Sequence, residues 1–278
     1  MVVDYPSSNP KLVTSKNSVA TIEKPLTSGS VTILIPALNE AGNLPRLLSL
    51  LNETFQNLGY ELPVLVINDG STDETPKVLE NLQQKYSFLE VVHHSTRQGV
   101  TQVWKTALTQ AQTDWLFWGQ GDLESDPRVD IPTLLNAVTT GVDAVAGWRQ
   151  NRGDGKTGAS QLANRACQLA FGMTIHDMNW IKLLRRDALV ALPLELITHR
   201  YLLAILSAMG YRVVEVPTPW YPRFSGVSKF GYGRLVTSSL DFIRVLVWFY
   251  FNLGKNKVFS KLIWATNFYT EHLVVRRY

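Results

Sequence analysis

Short apolar runs alternate with longer amphipathic segments between residues 31 and 146. The apolar runs have strand length: Val31–Ile35, Pro63–Ile67, Phe88–Val92, Trp115–Trp118 and Val142–Ala146. Between them, apolar residues recur every three or four positions, as on one face of a helix; the first such set is Leu44, Leu47, Leu48, Leu51, Phe55 and Leu58. This alternation predicts an α/β fold with a doubly wound, mainly parallel sheet.

Local signals predict where some helices begin. Ser71 and Glu74 have the spacing of a capping box, which predicts a helix start there. Asn39, followed by Glu40, has the composition of a helix N-cap, and Pro132 suits the first turn of a later helix. Farther along we expect a mobile loop at 151–160, a helix at 158–171, and strands at 180–184 and 211–216.

Polar residues follow four of the predicted strands, at the point where each strand ends. Ligands of doubly wound sheets bind beyond the carboxyl ends of the strands, so the segments after Ile35, Ile67, Val92 and Trp118 share one rim. Asn39, Glu40 and Asp69 offer hydrogen-bonding groups for a nucleoside. Taken alone, the first segment is better explained as a helix N-cap, and the second is partly explained as a capped turn whatever its function.

A pair of carboxylates follows the fourth strand. Asp122 and Glu124 are two residues apart, so in an extended segment they face the same way and can hold one divalent cation through oxygen ligands. An isolated acid-x-acid pair is common by chance, and only its place on the rim gives this pair weight.

The two ends of the chain differ in character from the central domain, which we place at residues 31–234. Residues 1–30 are rich in Ser, Thr, Pro and Lys and are expected to form a flexible leader. Residues 235–251 are apolar but contain Asp241 and Arg244, which disfavours a membrane span. They are expected to form an amphipathic helix that either packs on the domain or contacts a membrane, and the lysines and aromatics farther along favour membrane contact by residues 235–278.

Composition excludes several classes of protein. The net charge of +4 over 278 residues gives no indication of nucleic-acid binding. The single cysteine, Cys167, excludes an internal disulfide and a multi-cysteine metal site. The first strand is not followed by G-x-G-x-x-G, and the chain contains no G-x-x-x-x-G-K-[ST], which argues against dinucleotide dehydrogenases and P-loop kinases.

Taken together, the motifs resemble those of one enzyme family. Residues 31–235 are similar to family-2 glycosyltransferases with a GT-A fold, and in particular to polyprenyl-phosphate hexose transferases such as the dolichyl-phosphate mannose synthases. The segments that carry the resemblance are Pro36–Glu40, Asn68–Thr75, Arg97–Gly99, Gly121–Pro127, Trp148–Arg149, Asn164–Arg165, Asp177–Lys182 and Arg223–Lys229.

The resemblance implies an inverting transfer of a hexose from a nucleotide-sugar to a polyprenyl phosphate. It implies catalytic roles for Asp122, Asp177 and Arg149, and a Mg²⁺ or Mn²⁺ ion held by Asp122 and Glu124. The implied donor-binding residues are Pro36, Leu38, Glu40, Asp69 and Gln120. The implied acceptor- or phosphate-binding residues are Lys156, Arg165, Arg223, Ser225 and Lys229. Such an enzyme is expected on the cytoplasmic face of a membrane, as a peripheral protein.

One position departs from the family pattern. These transferases usually carry Asp-Ala-Asp where this chain has Gln120-Gly121-Asp122, so a neutral amide replaces the first carboxylate. An amide is a poorer cation ligand than a carboxylate. Two alternatives stay open: a glycosyltransferase with a hydroxyl acceptor, for which Asp177 is the candidate base, and a non-catalytic nucleotide-sugar-binding homologue, which the neutral Gln120 suggests.

Overall fold

The computed structural model describes residues 26–27, 29–150, 157–171, 175–192, 194, 200–225 and 233–252. The described residues form one sheet with helices on both faces. Its strands are β1 (Val31–Ala37), β2 (Val64–Asp69), β3 (Leu89–His94), β4 (Trp115–Trp118), β5 (Ala144–Gln150), β6 (Lys182–Arg185) and β7 (Val213–Pro219). The helices are α1 (Leu44–Leu58), α2 (Thr75–Lys85), α3 (Val100–Gln110), α4 (Pro127–Asn136), α5 (Thr157–Phe171), α6 (Arg186–Val190), α7 (Leu202–Met209) and α8 (Gly233–Asn252).

The alternation of side chains along the strands builds two hydrophobic cores. Ile33 and Ile35 point into a core shared with α1, α2 and α4, whereas Leu34 points into a core shared with α3, α5, α7 and α8. Because helices cover both faces of the sheet, the strand sequences are continuous apolar runs. The α/β, doubly wound prediction is confirmed.

The strand order places one topological switch point at the centre of the sheet. The order is β3-β2-β1-β4-β6-β5-β7, and β1 pairs in parallel with β2 on one side and β4 on the other. The chain therefore runs outward from β1 through β2 and β3 and then returns to the other side of β1. Crevices at such points bind ligands in doubly wound sheets.

The sheet departs from strict parallel order at β6, which is antiparallel to both β4 and β5. As a result, the first residue of β6, Lys182, pairs with the last residue of β4, Trp118. The same rim also receives the end of β5, where Arg149 lies. Hydrophobic periodicity predicts the existence of this strand but carries no information about its direction.

Three predicted helix signals are wrong. The helix after β2 begins at Thr75, not Ser71, because the Ser71 hydroxyl accepts a hydrogen bond from the Asn39 amide instead of capping a helix. Asn39 does not cap a helix, because it has φ +53° and the first helix begins only at Leu44. Pro132 lies inside α4, which begins at Pro127 after Asp126 accepts a hydrogen bond from the Arg128 amide.

Helix α8 packs on the domain with one face and exposes apolar side chains on the other. Val245 and Phe249 are fully buried, and Phe242 and Phe249 contact Phe171 of α5 edge-on. Asp241 is paired with Arg200, with 2.5 Å between Oδ2 and Nη1. Among the described helices, none is both long and apolar enough to cross a membrane.

Candidate active site

The loops after β1 and β2 are joined to each other by reciprocal hydrogen bonds. The Asn39 amide donates to the Ser71 hydroxyl at 2.8 Å, and the Thr72 amide donates to Asn39 Oδ1 at 2.8 Å. The Glu40 amide donates to the Thr75 hydroxyl at 2.9 Å. The residues that sequence interpretation assigned to helix caps therefore bind the two loops together at the switch point.

Asp69, at the end of β2, holds the loop that follows β3. Its Oδ1 accepts hydrogen bonds from His94 Nδ1 at 2.9 Å and from the Gln98 amide at 2.8 Å, and its Oδ2 accepts from the Gly99 amide at 2.8 Å. Burial raises the pKa of Asp69, but these hydrogen bonds outweigh burial and leave it lowered. Since a carboxylate has about four acceptor positions, roughly one remains for a ligand.

Glycines let the rim loops approach closely. Gly70 has φ +69°, and a Cβ there would lie 2.3 Å from the Arg97 amide nitrogen. A Cβ on Gly121 would lie 2.9 Å from the Pro36 carbonyl oxygen. The loop after β2 is therefore packed against the loop after β3, and the turn after β4 against the end of β1, at distances that a side chain at either glycine would prevent.

Asp122 and Glu124 are brought together by a turn and not by extended backbone. Leu123 between them is fully buried with φ +59°, so the expectation of an extended segment is wrong. The two carboxylates nevertheless converge on one cation, the guanidinium of Arg223: Nη2 lies 2.5 Å from Asp122 Oδ2, and Nε lies 3.0 Å from Glu124 Oε1.

The electrostatics of this pair reflect its burial. Burial and the charge of Glu124 raise the pKa of Asp122 to about 6, and Arg223 opposes that shift. Burial lowers the pKa of Arg223, but the charges of Asp122, Glu124 and Glu40 outweigh burial and raise it. Positive charge at this position therefore stabilises the ionised carboxylates.

The carboxylate pair fits a divalent cation in chemistry and direction. Two carboxylates aimed at one point supply the hard oxygen ligands that Mg²⁺ and Mn²⁺ prefer. No cluster of three or more His, Cys, Asp or Glu side chains able to hold a metal ion occurs among the described residues. The phosphates of a bound nucleotide are oxygen donors of the kind that could complete the coordination of such an ion.

The residues that carry Arg223 form a strap across the rim, which we define as residues 220–225. The Tyr221 amide donates to the Glu124 carbonyl at 2.9 Å, and the Ser225 carbonyl accepts a hydrogen bond from Asn43 Nδ2 at 3.3 Å. Asn43 also donates to Glu40 Oε2 at 2.6 Å. The strap thus connects β7 to the loops after β1 and β4.

A second charged cluster lies on the same rim, at the ends of β5 and β6. Arg149 binds Asp177 through two hydrogen bonds, Nε to Oδ2 at 2.6 Å and Nη2 to Oδ1 at 2.9 Å, and its guanidinium lies over the Trp180 ring. Lys182 is buried beside them. Burial lowers the pKa of Lys182 to about 8, Asp177 opposes that shift, and Arg149 adds to it.

The other predicted site residues are placed less centrally. Pro36 and Leu38 are half-buried at the end of β1, Gln120 is half-buried beyond β4, and Arg165 is exposed on α5. Lys156 and Lys229 lie outside the described residues, as do the leader at 1–25 and residues 151–156 of the predicted loop.

Sequence patterns did not predict two residues of the site. His94 and Glu215 were not singled out, although His94 continues β3 in register with Asp69 and Glu215 Oε1 accepts a hydrogen bond from the Asp177 amide at 2.9 Å. The only sequence signal for His94 was a polar residue just beyond an apolar run. No sequence pattern pointed to Glu215, because its partner lies 38 residues away.

The fold is of the GT-A type. The architecture is similar to crystal structures of glucosyl-3-phosphoglycerate synthase from Mycobacterium tuberculosis. One, in complex with Mn²⁺, UDP and glucosyl-3-phosphoglycerate, has a TM-score of 0.62 and 17% identity, with 78% of this chain and 79% of that chain covered. Another, with Mg²⁺ and UDP, has a TM-score of 0.60 and 19% identity, with 78% of each chain covered.

Sequence comparison identifies the family. Residues 32–189 match glycosyl transferase family 2, which is more than half of the 278 residues, so the chain belongs to that family. It is 27% identical over 220 residues to undecaprenyl-phosphate 4-deoxy-4-formamido-L-arabinose transferase of Klebsiella pneumoniae (strain 342), covering 78% of this chain and 67% of that relative. The predicted family and the prediction of a nucleotide-sugar-dependent glycosyltransferase are confirmed.

Proposed function

We propose that the chain transfers a hexose, with inversion at the anomeric carbon, from a nucleotide-sugar to a polyprenyl phosphate. The observation that carries the choice of acceptor is the cluster of Arg149, Asp177 and Lys182, in which two cations surround one carboxylate. The Arg149 guanidinium and the Lys182 ammonium are groups that an anionic acceptor could contact on this rim. The Klebsiella relative carries undecaprenyl phosphate in its name, which supports the same class of acceptor.

The state of Asp177 argues against a hydroxyl acceptor. An alcohol needs a general base, and Asp177 was the candidate, but both of its carboxylate oxygens accept hydrogen bonds from Arg149. A phosphate acceptor is already anionic near neutral pH and requires orientation more than deprotonation. We therefore propose that Arg149 binds the acceptor phosphate and that Asp177 orients Arg149, with Arg165 and Lys156 as further phosphate ligands.

The donor would lie across the switch point. Pro36, Leu38, Glu40 and Asp69 would contact the nucleoside, and Gln120 would donate to a ribose or sugar hydroxyl. Asp122 and Glu124 would hold Mg²⁺ or Mn²⁺, which supplies charge stabilisation to the departing nucleoside diphosphate. Arg223, Ser225 and Lys229 would bind the phosphates from the strap and the residues after it.

The exposed face of α8 supports peripheral association with the cytoplasmic face of a membrane. Four apolar side chains three or four residues apart are exposed there: Leu240 at 56%, Ile243 at 55%, Val247 at 49% and Phe251 at 72%. Arg244 is exposed on the same face. An apolar stripe with a cation matches an interfacial helix on an anionic leaflet, where a lipid acceptor would be found.

A donor and acceptor screen tests this function. Purified protein is incubated with nucleotide-sugars, with and without Mn²⁺, and with either undecaprenyl phosphate or soluble sugars as acceptor. We expect undecaprenyl phosphate carrying the transferred sugar, formed only when Mn²⁺ or Mg²⁺ is present. Formation of a glycoside on soluble sugars alone would refute the lipid acceptor, and nucleotide binding without transfer would support the non-catalytic alternative.

The metal assignment has its own test. Asp122→Asn removes a ligand charge without changing side-chain shape, so we expect transfer to fall about 100-fold or more. Asp114→Asn is the matched control, because Asp114 is exposed at the opposite end of β4. Equal turnover by both variants would refute a metal at Asp122.

A further inference from the structure

Two neighbouring histidines at the end of β3 are bound to two neighbouring polar residues at the end of β2. His93 pairs with Asn68 and His94 with Asp69, in register along the parallel strands. The Asn68 Oδ1 accepts a hydrogen bond from the Ser71 amide, so its Nδ2 faces His93 Nδ1 at 2.9 Å and donates to it. His93 Nδ1 is therefore the acceptor of its hydrogen bond with Asn68.

His94 Nδ1 donates. Its partner, Asp69, has a lowered pKa and is a carboxylate, which can only accept, so the proton lies on His94 Nδ1. The other ring nitrogen, Nε2, lies 2.9 Å from the Thr106 hydroxyl on α3. The His94 and Asp69 side chains are only 7% and 8% exposed. The imidazole is thus held between β2 and α3 at both nitrogens.

This arrangement bears on the loop between β3 and α3. The same carboxylate that accepts from His94 accepts the Gln98 and Gly99 amides, and the loop lies directly over Gly70. Without the His94 donor, Asp69 would be free to rotate away from these amides. The loop carries the exposed side chains of Arg97 and Gln98 at the rim, next to the turn that Asn39 holds from the other side.

We propose that His94 is a positioning residue of the donor site, which acts through Asp69 to hold the Thr96–Gly99 loop as the wall of the nucleoside pocket. This inference rests on the proposed function, since it assumes that the nucleotide lies on the rim beside Gly70. His94 does not touch the donor. It sets the orientation of the Asp69 carboxylate and, through that carboxylate, the position of two backbone amides.

The two ends of the imidazole can be tested separately. His94→Asn keeps an N–H donor near the position of Nδ1 and loses the contact with Thr106. His94→Gln places its amide near the position of Nε2 and loses the donor to Asp69. His94→Leu removes both, and His93→Gln is the matched control on the adjacent residue, whose side chain binds Asn68 instead.

Three measurements are made on each variant: amide hydrogen exchange at Gln98 and Gly99 in the ligand-free protein, Kd for UDP and for GDP with Mn²⁺, and the donor KM and kcat of the transfer reaction. For His94→Gln and His94→Leu we expect exchange at these amides and Kd for the preferred diphosphate each to rise about tenfold. The donor KM should rise with little change in kcat, because the reacting atoms are untouched. His94→Asn and His93→Gln should stay within about twofold of wild type.

Each other outcome overturns a defined claim. Wild-type exchange and affinity in His94→Leu would refute the positioning role, as would equal losses in His94→Asn and His94→Leu, which would indicate a packing role for the ring. If the wild-type protein binds neither diphosphate, the proposed function fails and the donor role of His94 fails with it. Exchange in the ligand-free protein would still show whether His94 holds the loop.

Discussion

Lys182 is a buried cation whose position costs stability. An ammonium group removed from water loses hydration that a single neighbouring carboxylate replaces only in part, and here Asp177 is already bound by Arg149. The side chain is 2% exposed. A residue kept in the sheet at such a cost is expected where its charge serves a ligand, which agrees with an anionic acceptor beside Arg149.

Replacing Lys182 by Met should therefore stabilise the protein while impairing acceptor use. At pH 7 we expect the free energy of unfolding to rise by up to about 3 kcal/mol, from the lowering of the Lys182 pKa to about 8. Below pH 8 the folded state carries the full cost of the buried charge. Between pH 8 and the ordinary pKa of 10.5 only the unfolded state stays protonated, so the wild type gains stability with rising pH and the difference disappears.

Urea unfolding of both proteins from pH 7 to pH 10.5 measures this difference. Lys77→Met is the control, because the Lys77 side chain is 75% exposed and its replacement should change stability little at any pH. A Lys182→Met variant less stable than wild type at pH 7 would show that the ammonium group is well paired.

At the scale of elements, the hydrophobic pattern predicted the strands but not their ends. It ended β2 at Ile67 and β3 at Val92, whereas the structure continues them to Asp69 and His94. Polar residues can remain hydrogen-bonded in a parallel sheet where the strands reach the ligand-binding rim, and a pattern of apolar residues does not detect them. The donor motifs were therefore found from the sequence, but the pairing that orients Asp69 was not.

Long-range contacts limited prediction of the rest of the site. Arg223 was assigned to phosphate binding from its motif, and the structure places it against carboxylates about 100 residues earlier in the chain. Likewise the signal at Ser71 was real but its hydrogen bond belongs to Asn39 and not to a helix. Spacing along the chain identifies which residues can bond, and only the fold decides which of their possible partners lies within reach.

Helix α8 carries the prediction of membrane association. Ile243→Asp with Val247→Asp places two charges in the exposed apolar stripe without touching Val245 or Phe249, so the fold should be retained. We expect affinity for vesicles containing phosphatidylglycerol to fall about tenfold or more. Val190→Asp is the control, because Val190 is 59% exposed on a different helix. Equal co-sedimentation of both variants with vesicles would refute contact through α8.

At the scale of the whole molecule, the strap couples the two halves of the sheet. It leaves β7 on one edge, crosses to the turn after β4 through Tyr221 and Arg223, and reaches the start of α1 through Ser225. Arg223 supplies the positive charge between Asp122 and Glu124, so under the proposed metal assignment it competes with a divalent cation for the same pair. A nucleoside diphosphate offers the displaced guanidinium a new partner.

Arg223 and a divalent cation should therefore compete when no nucleotide is present. In Arg223→Gln we expect Mn²⁺, titrated by electron paramagnetic resonance, to bind about tenfold more tightly than in wild type. The metal-free variant should lose about 3 kcal/mol of stability, because a buried carboxylate loses its partner. Arg185→Gln is the matched control: Arg185 also bridges two carboxylates, Asp143 and Asp187, but is 42% exposed. Arg185→Gln should leave Mn²⁺ affinity unchanged and cost at most about 1 kcal/mol of stability.

With UDP present, the order of Mn²⁺ affinities should reverse, because Arg223 then binds phosphate. Arg223→Gln should also bind the nucleotide more weakly than wild type. Mn²⁺ affinity that is equal or weaker in nucleotide-free Arg223→Gln would show that the guanidinium and the metal do not share the carboxylate pair.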